Sequence, residues 1–181
     1  RTPENRRAFV DEMSPFVSGH LVDSPTLEDA LQDAEMITLA TKATSPVLRA
    51  EHLHPGIHVN SVGPASRDRV EVDPRIFDSF DRVVCDSVSL VFDEAGDAHQ
   101  AVSDHGFEPD HAADLANLVS GVAPGRRQPE ETTLFKSVGT GAQDLVVAAR
   151  LLERAAAADV AARLVDREHS AVQGEVEVAR H

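Results

Sequence analysis

Apolar positions recur along the chain at two different periods. In "PENRRAFVDEM" (3–13), Ala8, Phe9 and Met13 form a stripe behind Pro3, which suits a first turn, so a helix is predicted. "LVDSPTLEDALQDAE" repeats the pattern with Leu27, Ala30, Leu31 and Ala34, and Ser24 is the expected N-cap. "MITLAT" (36–41) is different: short, β-branched and nearly continuous, as a strand buried on both faces would be. "PVLRAEHL" predicts a short helical crossover ending near Pro55-Gly56. "IHVNSVG" (57–63) predicts the next strand, "DPRIFDSF" a short helix and "DRVVCDSV" (81–88) a third strand. Residues 110–121, "DHAADLANLVSG", read as an amphipathic helix closed by Gly121. The polar, turn-rich "VAPGRRQPEE" is the best candidate for a domain boundary. Beyond it, "TTLFKSV" reads as a strand, an alanine-rich helix runs from about Gln143 to Arg163, and residues 166–181 form a polar tail. Strands alternating with helices at this spacing predict an α/β fold, a parallel sheet of doubly wound type with flanking helices.

Charge narrows the classes of function. There are 31 acidic against 17 basic residues, a net charge of −14, so no basic patch is available to neutralise phosphates and nucleic-acid binding is disfavoured. Lys42 and Lys136 are the only lysines. An acidic, lysine-poor surface suits concentrated salt, where screening removes self-repulsion, and a salt-adapted (halophilic) host is the favoured explanation. No apolar run approaches the ~18–20 residues of a membrane span, and nothing resembles a signal peptide. The single Cys85 lies inside "RVVCDSV" and reads as a core residue. One cysteine supports no disulfide framework and fits a reducing, cytoplasmic setting. His52, His54 and His58 straddle Pro55-Gly56, which favours loop histidines over a metal site.

Candidate chemistry collects at the predicted strand ends, where ligands of open parallel sheets bind. "TLATKAT" offers Thr38, Thr41 and Thr44; "HVNSVG" offers Asn60, Ser61 and Gly63; "CDS" offers Asp86; "FKSVGTG" closes the last strand. Hydroxyls, an amide and glycines suit an uncharged polar ligand or a phosphate met by backbone amides. The chain contains no G-x-G-x-x-G, no Walker A loop and no G-x-S-x-G elbow.

In order, "ITLAT" with "SPVL", "LHPGIHVNSVG", "RVVCDS" followed by Glu94-Ala95-Gly96-Asp97, "LVSGVAPGR" and "TLFKSVGTGAQDLVVAARLL" resemble the ornithine cyclodeaminase/μ-crystallin family across most of residues 1–155. The resemblance implies two-domain homodimers with a Rossmann-type NAD or NADP domain and a substrate and dimerisation domain. It divides this chain into 1–127, a partial NAD(P)-binding domain; 128–165, a strand and helix returning to the cofactor site and contributing to the second domain; and the tail. It also implies that the chain starts after the second Rossmann strand, without the glycine-rich loop, and is inactive by itself. Thr41, Val59, Asn60, Ser61, Val62, Arg69 and Ser137 match cofactor-contacting positions, and Val138 a substrate-contacting one. Arg1 follows the strand whose end chooses between NAD and NADP.

The activity implied is hydride transfer to or from an imine or amino acid, as in ketimine reductases and amino-acid dehydrogenases. The alternatives are ornithine cyclodeaminase, which forms proline and ammonia with NAD⁺ recycled, and a non-catalytic, cofactor-binding crystallin-like protein. Cyclodeaminases carry a proton-relaying aspartate two residues beyond the glycine of this motif. Here Ala65 stands there, and a methyl group relays no proton. Asp68, three residues on, is the remaining catalytic candidate. Lys136 is expected to pair at the surface or between domains.

Overall fold

The computed structural model describes residues 2–63 and 65–157. Arg1, the distal part of the long helix to Arg163 and the polar tail lie outside the described residues. The chain forms two compact units, Arg1–Val138 and Gly139–His181.

The first unit is built on five parallel strands: β1 (Met36–Leu39), β3 (His58–Ser61), β5 (Arg82–Cys85), β6 (Ala112–Asp114) and β7 (Thr133–Lys136). They are ordered β1-β3-β7-β5-β6, so the last strand in sequence lies at the centre. β2 (Thr44–Leu48) and β4 (Val70–Val72) form a separate parallel pair, with a register irregularity across a strand containing Pro46, which has no N–H to donate. All five strands point the same way, which makes this an open, parallel, Rossmann-like α/β sheet.

Alternation along each strand sorts the side chains. Ile37 and Leu39, Val59 and Ser61, Leu134 and Lys136, and Val83 and Cys85 are buried on one face. That face is covered by the main core, which includes Leu48, Ile57, Val72, Ile76, Val91 and Ala98. Phe77, Phe92 and Phe107 meet there with ring centroids 5.4–6.4 Å apart, joining the 3₁₀ turn Pro74–Ser79 to helix α3 (Val88–Glu94) and to the segment just after helix α4 (Gly96–His105). The other face carries Met36, Thr38, His58, Asn60, Thr133, Phe135, Arg82 and Val84. α1 (Pro3–Met13) is capped by the Thr2 hydroxyl, which accepts from the Asn5 N–H, and Arg6 pairs with Asp23.

Several sequence expectations need correction. "PVLRAEHL" is not a helical crossover; it is the end of β2 followed by one 3₁₀ turn, Ala50–His52, because Pro46 and Val47 favour extended backbone. Residues 110–121 are not one helix. Pro109–His111 is a 3₁₀ turn, Ala112–Asp114 pairs with β5 as β6, and only Leu115–Val119 is α-helical, as α5. The N-cap of α2 (Leu27–Leu31) is Thr26, whose hydroxyl accepts from the Asp29 N–H, rather than Ser24. The turn-rich 122–131 linker is fastened to the first unit by Arg126, which donates to the Gly56, Ile57 and Pro129 carbonyls.

Candidate functional site

The strand register draws one row across the carboxyl end of the sheet: Leu39, Ser61, Lys136, Cys85 and Asp114. The loops leaving this row carry the expected site residues. Thr41 follows β1; its hydroxyl accepts from the Ala43 N–H at 3.2 Å. Val62 follows β3 and is 43 % exposed, and its N–H donates to the Leu39 carbonyl at 2.9 Å. Ser137 follows β7. Its N–H donates to the Ser61 carbonyl at 3.0 Å, and its hydroxyl donates to Asp86 at 2.7 Å. The Asp86 carboxylate also accepts the Val138 N–H at 3.2 Å. The ends of β1, β3, β7 and β5 are thus stitched edge to edge, with Thr41, Val62, Ser137 and Asp86 along the seam.

Two of the expected contacts face elsewhere. The Val59 side chain is fully buried in the core, so it is packing rather than a ligand surface. The Ser61 side chain is also fully buried: its hydroxyl donates to Glu71 at 2.8 Å and accepts from Lys136 Nζ at 2.9 Å. Strand parity is the reason, since Asn60 between them occupies the opposite face, its Oδ1 3.2 Å from His58 Nε2. Val138 is half-buried and packs against the core.

Arg69 donates to the Lys42 carbonyl at 2.5 Å, tying its turn to the loop after β1. Asp68 beside it lies 3.5 Å from Arg69 Nε. The Ser66 hydroxyl donates to Asp68 and, with the Arg69 guanidinium, holds its carboxyl below the usual carboxylate range. An exposed carboxylate so stabilised is a weak base at neutral pH, which lowers its worth as a proton acceptor.

Lys136 is the main correction. Expected at a surface, it is fully buried and pairs with the equally buried Asp97 at 2.9 Å. β7 alternates, and the parity that buries Leu134 also buries Lys136, so a charge inside the sheet must find a partner there. Asp97 also accepts the N–H groups of Glu71 and Val72 at 3.2 Å each, and that of Ala98 at 2.9 Å. Neither Glu71 nor Asp97 is among the site candidates read from the sequence, although Asp97 closes one of the resemblance motifs. The available signal was a charge at the centre of an apolar alternation, "VEV", matched by the lysine of "LFK".

A cleft of about 870 Å³ lies on the other face of the sheet, lined by residues such as Met36, His58, Arg82, Leu118, Arg126 and Phe135. It follows the faces and amino ends of the strands. The ligand rule for parallel sheets places the site at their carboxyl ends, so the cleft is not the candidate. Among the described residues no His, Cys, Asp and Glu cluster could hold a metal ion, and no helix is long and apolar enough to cross a membrane.

The sheet and its seam of strand-end loops define a Rossmann-like domain. The chain belongs to the ornithine cyclodeaminase/mu-crystallin family, whose model matches residues 1–159. It is 32 % identical over 165 residues to a delta(1)-pyrroline-2-carboxylate reductase of Bacillus cereus, covering 91 % of this chain and 50 % of that protein. It is 33 % identical over 148 residues to the ketimine reductase mu-crystallin of Rattus norvegicus, covering 82 % of this chain and 43 % of that one. Among solved structures, the delta(1)-pyrroline-2-carboxylate reductase of Thermococcus litoralis, in complex with NADH and L-proline, superposes with a TM-score of 0.80 at 32 % identity, over 85 % of this chain and 48 % of that one. The chain thus spans about half the length of the relatives it matches.

Proposed function

We propose that the protein is an NAD(P)-dependent oxidoreductase that transfers hydride to or from an imine or amino acid, of the ketimine or pyrroline-carboxylate reductase type. The observation that carries this reading is the seam itself. Three strand ends from one sheet bring Thr41, Val62 and Ser137 to its carboxyl edge, in a chain whose relatives include an NADH- and proline-bound reductase. The bound nicotinamide would supply the hydride. What this chain supplies is position: Thr41 and Ser137 offer hydroxyls and Val62 an apolar contact, while the Asn60 amide lies on the other face beside His58. Gly63 lets the loop after β3 lie against the Thr41 carbonyl and the Glu71 carboxylate, with which a Cβ would collide. Ser61 and Arg69 act from behind, holding the loops rather than touching the ligand. Val138 is the proposed substrate neighbour. Asp68 is set aside as the base.

We assign residues 1–127 to a partial cofactor domain and 128–165 to a strand and helix that return to the cofactor site and contribute to a substrate and dimerisation domain. Helix α6 (Gly141–Ala157) exposes Leu145, Val146, Val147, Leu151 and Leu152, apolar surface suited to burial in a homodimer. The cytoplasm is the proposed location, consistent with the single cysteine.

The test uses the full-length protein. Oxidation of NADH or NADPH, followed at 340 nm with Δ1-pyrroline-2-carboxylate or a related cyclic imine, is the expected result. Release of proline and ammonia from ornithine with no net cofactor change would replace this reading with cyclodeamination. Cofactor binding with no turnover on any imine or amino acid would replace it with a crystallin-like role. Light scattering after size-exclusion chromatography should return twice the mass of one full-length chain.

A further inference from the structure

Glu71 is fully buried, and its carboxylate collects three donors. The Thr41 N–H donates to Oε1 at 2.5 Å; the Ser61 hydroxyl and the Gly63 N–H donate to Oε2 at 2.8 and 3.2 Å. These donors belong to the ends of β1 and β3 and the loops that leave them. Behind them, Lys136 Nζ bridges Ser61 and Asp97, and Asp97 returns to the β4 backbone at Glu71 and Val72 and to the first turn of α4 at Ala98. Continuous buried contacts therefore run from α4 through β4 and β7 to the two loops. None of the three charged side chains reaches the surface, so none can touch a ligand itself.

We propose that Glu71, backed by Lys136 and Asp97, is a positioning residue for the nicotinamide cofactor, fixing the spacing of the Thr41 and Gly63 loops. The proposal rests on the cofactor reading above. A carboxylate is needed there, not merely a polar group. All three neighbours are donors, and a glutamine would turn its own NH₂ toward at least one of them. Burying two carboxylates and one ammonium is also a poor route to stability alone, since apolar residues of equal volume commonly serve as well.

In the full-length protein, Glu71→Gln should raise the NADH dissociation constant about tenfold, the loss of one charged hydrogen bond, with little change in kcat at saturating cofactor. A merely structural residue would lower the melting temperature and the active fraction but leave the dissociation constant of the folded molecules alone. Should Glu71→Gln fail to fold, the wild type still decides. The Thr41 and Gly63 amide resonances should shift during NADH titration with the midpoint of the binding curve, and amides that stay put overturn the proposal. A wild type that binds neither NADH nor NADPH removes the cofactor reading and this proposal together. A wild type that binds, beside a Glu71→Gln variant that binds equally well, removes only the proposal.

Discussion

Cys85 stands in the end row of the sheet, fully buried between Lys136 and Asp114. Burial, with Asp86 and Asp114 nearby, pushes its thiol up to about 12, against a smaller opposing pull from Lys136. At pH 8 the thiolate fraction is then about 10⁻⁴, and access is closed as well. A chromogenic disulfide reagent should leave native protein unlabelled at pH 8 and titrate one thiol after denaturation; rapid native labelling would show that this end of β5 opens. Gly63 makes a second residue-scale prediction. Its missing Cβ lets the loop rest on Glu71 and the Thr41 carbonyl, neither of which can withdraw cheaply. Gly63→Ala should destabilise by ~1–3 kcal/mol, the usual cost of overpacking, measured by chemical denaturation. An unchanged midpoint would mean that the two loops are not clamped.

At the scale of elements, β5 and the linker before β7 are joined by a small lock. The Asp81 carboxylate accepts the Thr132 N–H at 2.7 Å, with the Thr132 hydroxyl 2.9 Å away, and the Asp81 N–H donates back to that hydroxyl. The Thr132 N–H, and then its hydroxyl, hold the Asp81 carboxyl below its ordinary range. Glu131 is lowered too, chiefly by the Arg127 N–H, and Asp73 by Arg75. In each case the folded value lies below the unfolded one. Their contribution is therefore complete above about pH 5, where the unfolded carboxyls are ionised, and is lost as pH falls through the lower folded values. Denaturant midpoints should decline below about pH 5, and Asp81→Asn should flatten that decline. A decline of equal slope in the variant would count against the lock. The same scale explains what the sequence disclosed. β1, β3, β5 and β7 were legible because β-branched runs ended in glycine or polar loops, and Thr41, Asn60 and Ser137 followed as strand-end residues. β6 was hidden because "AAD" has no strand signature of its own and becomes a strand only by pairing with Val83–Cys85. Glu71, Asp97 and Lys136 were hidden for a related reason. They are far apart in sequence, and only the crossing of β4, β7 and α4 lets Lys136 and Asp97 satisfy each other while Glu71 meets the Thr41, Ser61 and Gly63 donors.

Across the whole molecule the acidic excess becomes a balance of forces. Among the described acidic residues Glu71, Asp73 and Asp97 are buried, and the full sequence carries a net charge of −14, 31 acidic against 17 basic residues. Ion pairs such as Arg67–Asp93 and Arg150–Glu153 are largely exposed, and such pairs contribute little each, so they offset only part of the repulsion. The buried Lys136–Asp97 pair is insulated from salt, whereas the surface charges see a Debye length that shrinks from ~10 Å at ~0.1 M to ~3 Å at ~1 M. Screening therefore removes more repulsion than attraction, and the melting temperature should rise by several degrees as KCl goes from ~0.1 to ~1 M. KCl is the informative salt, because sulfate strengthens apolar burial in any protein. A melting temperature that rises with sulfate but not with chloride would assign the effect to burial and sink the salt-adapted reading. A rise with both, larger at neutral pH than near the isoelectric point of about 4.9, would tie it to the carboxylates.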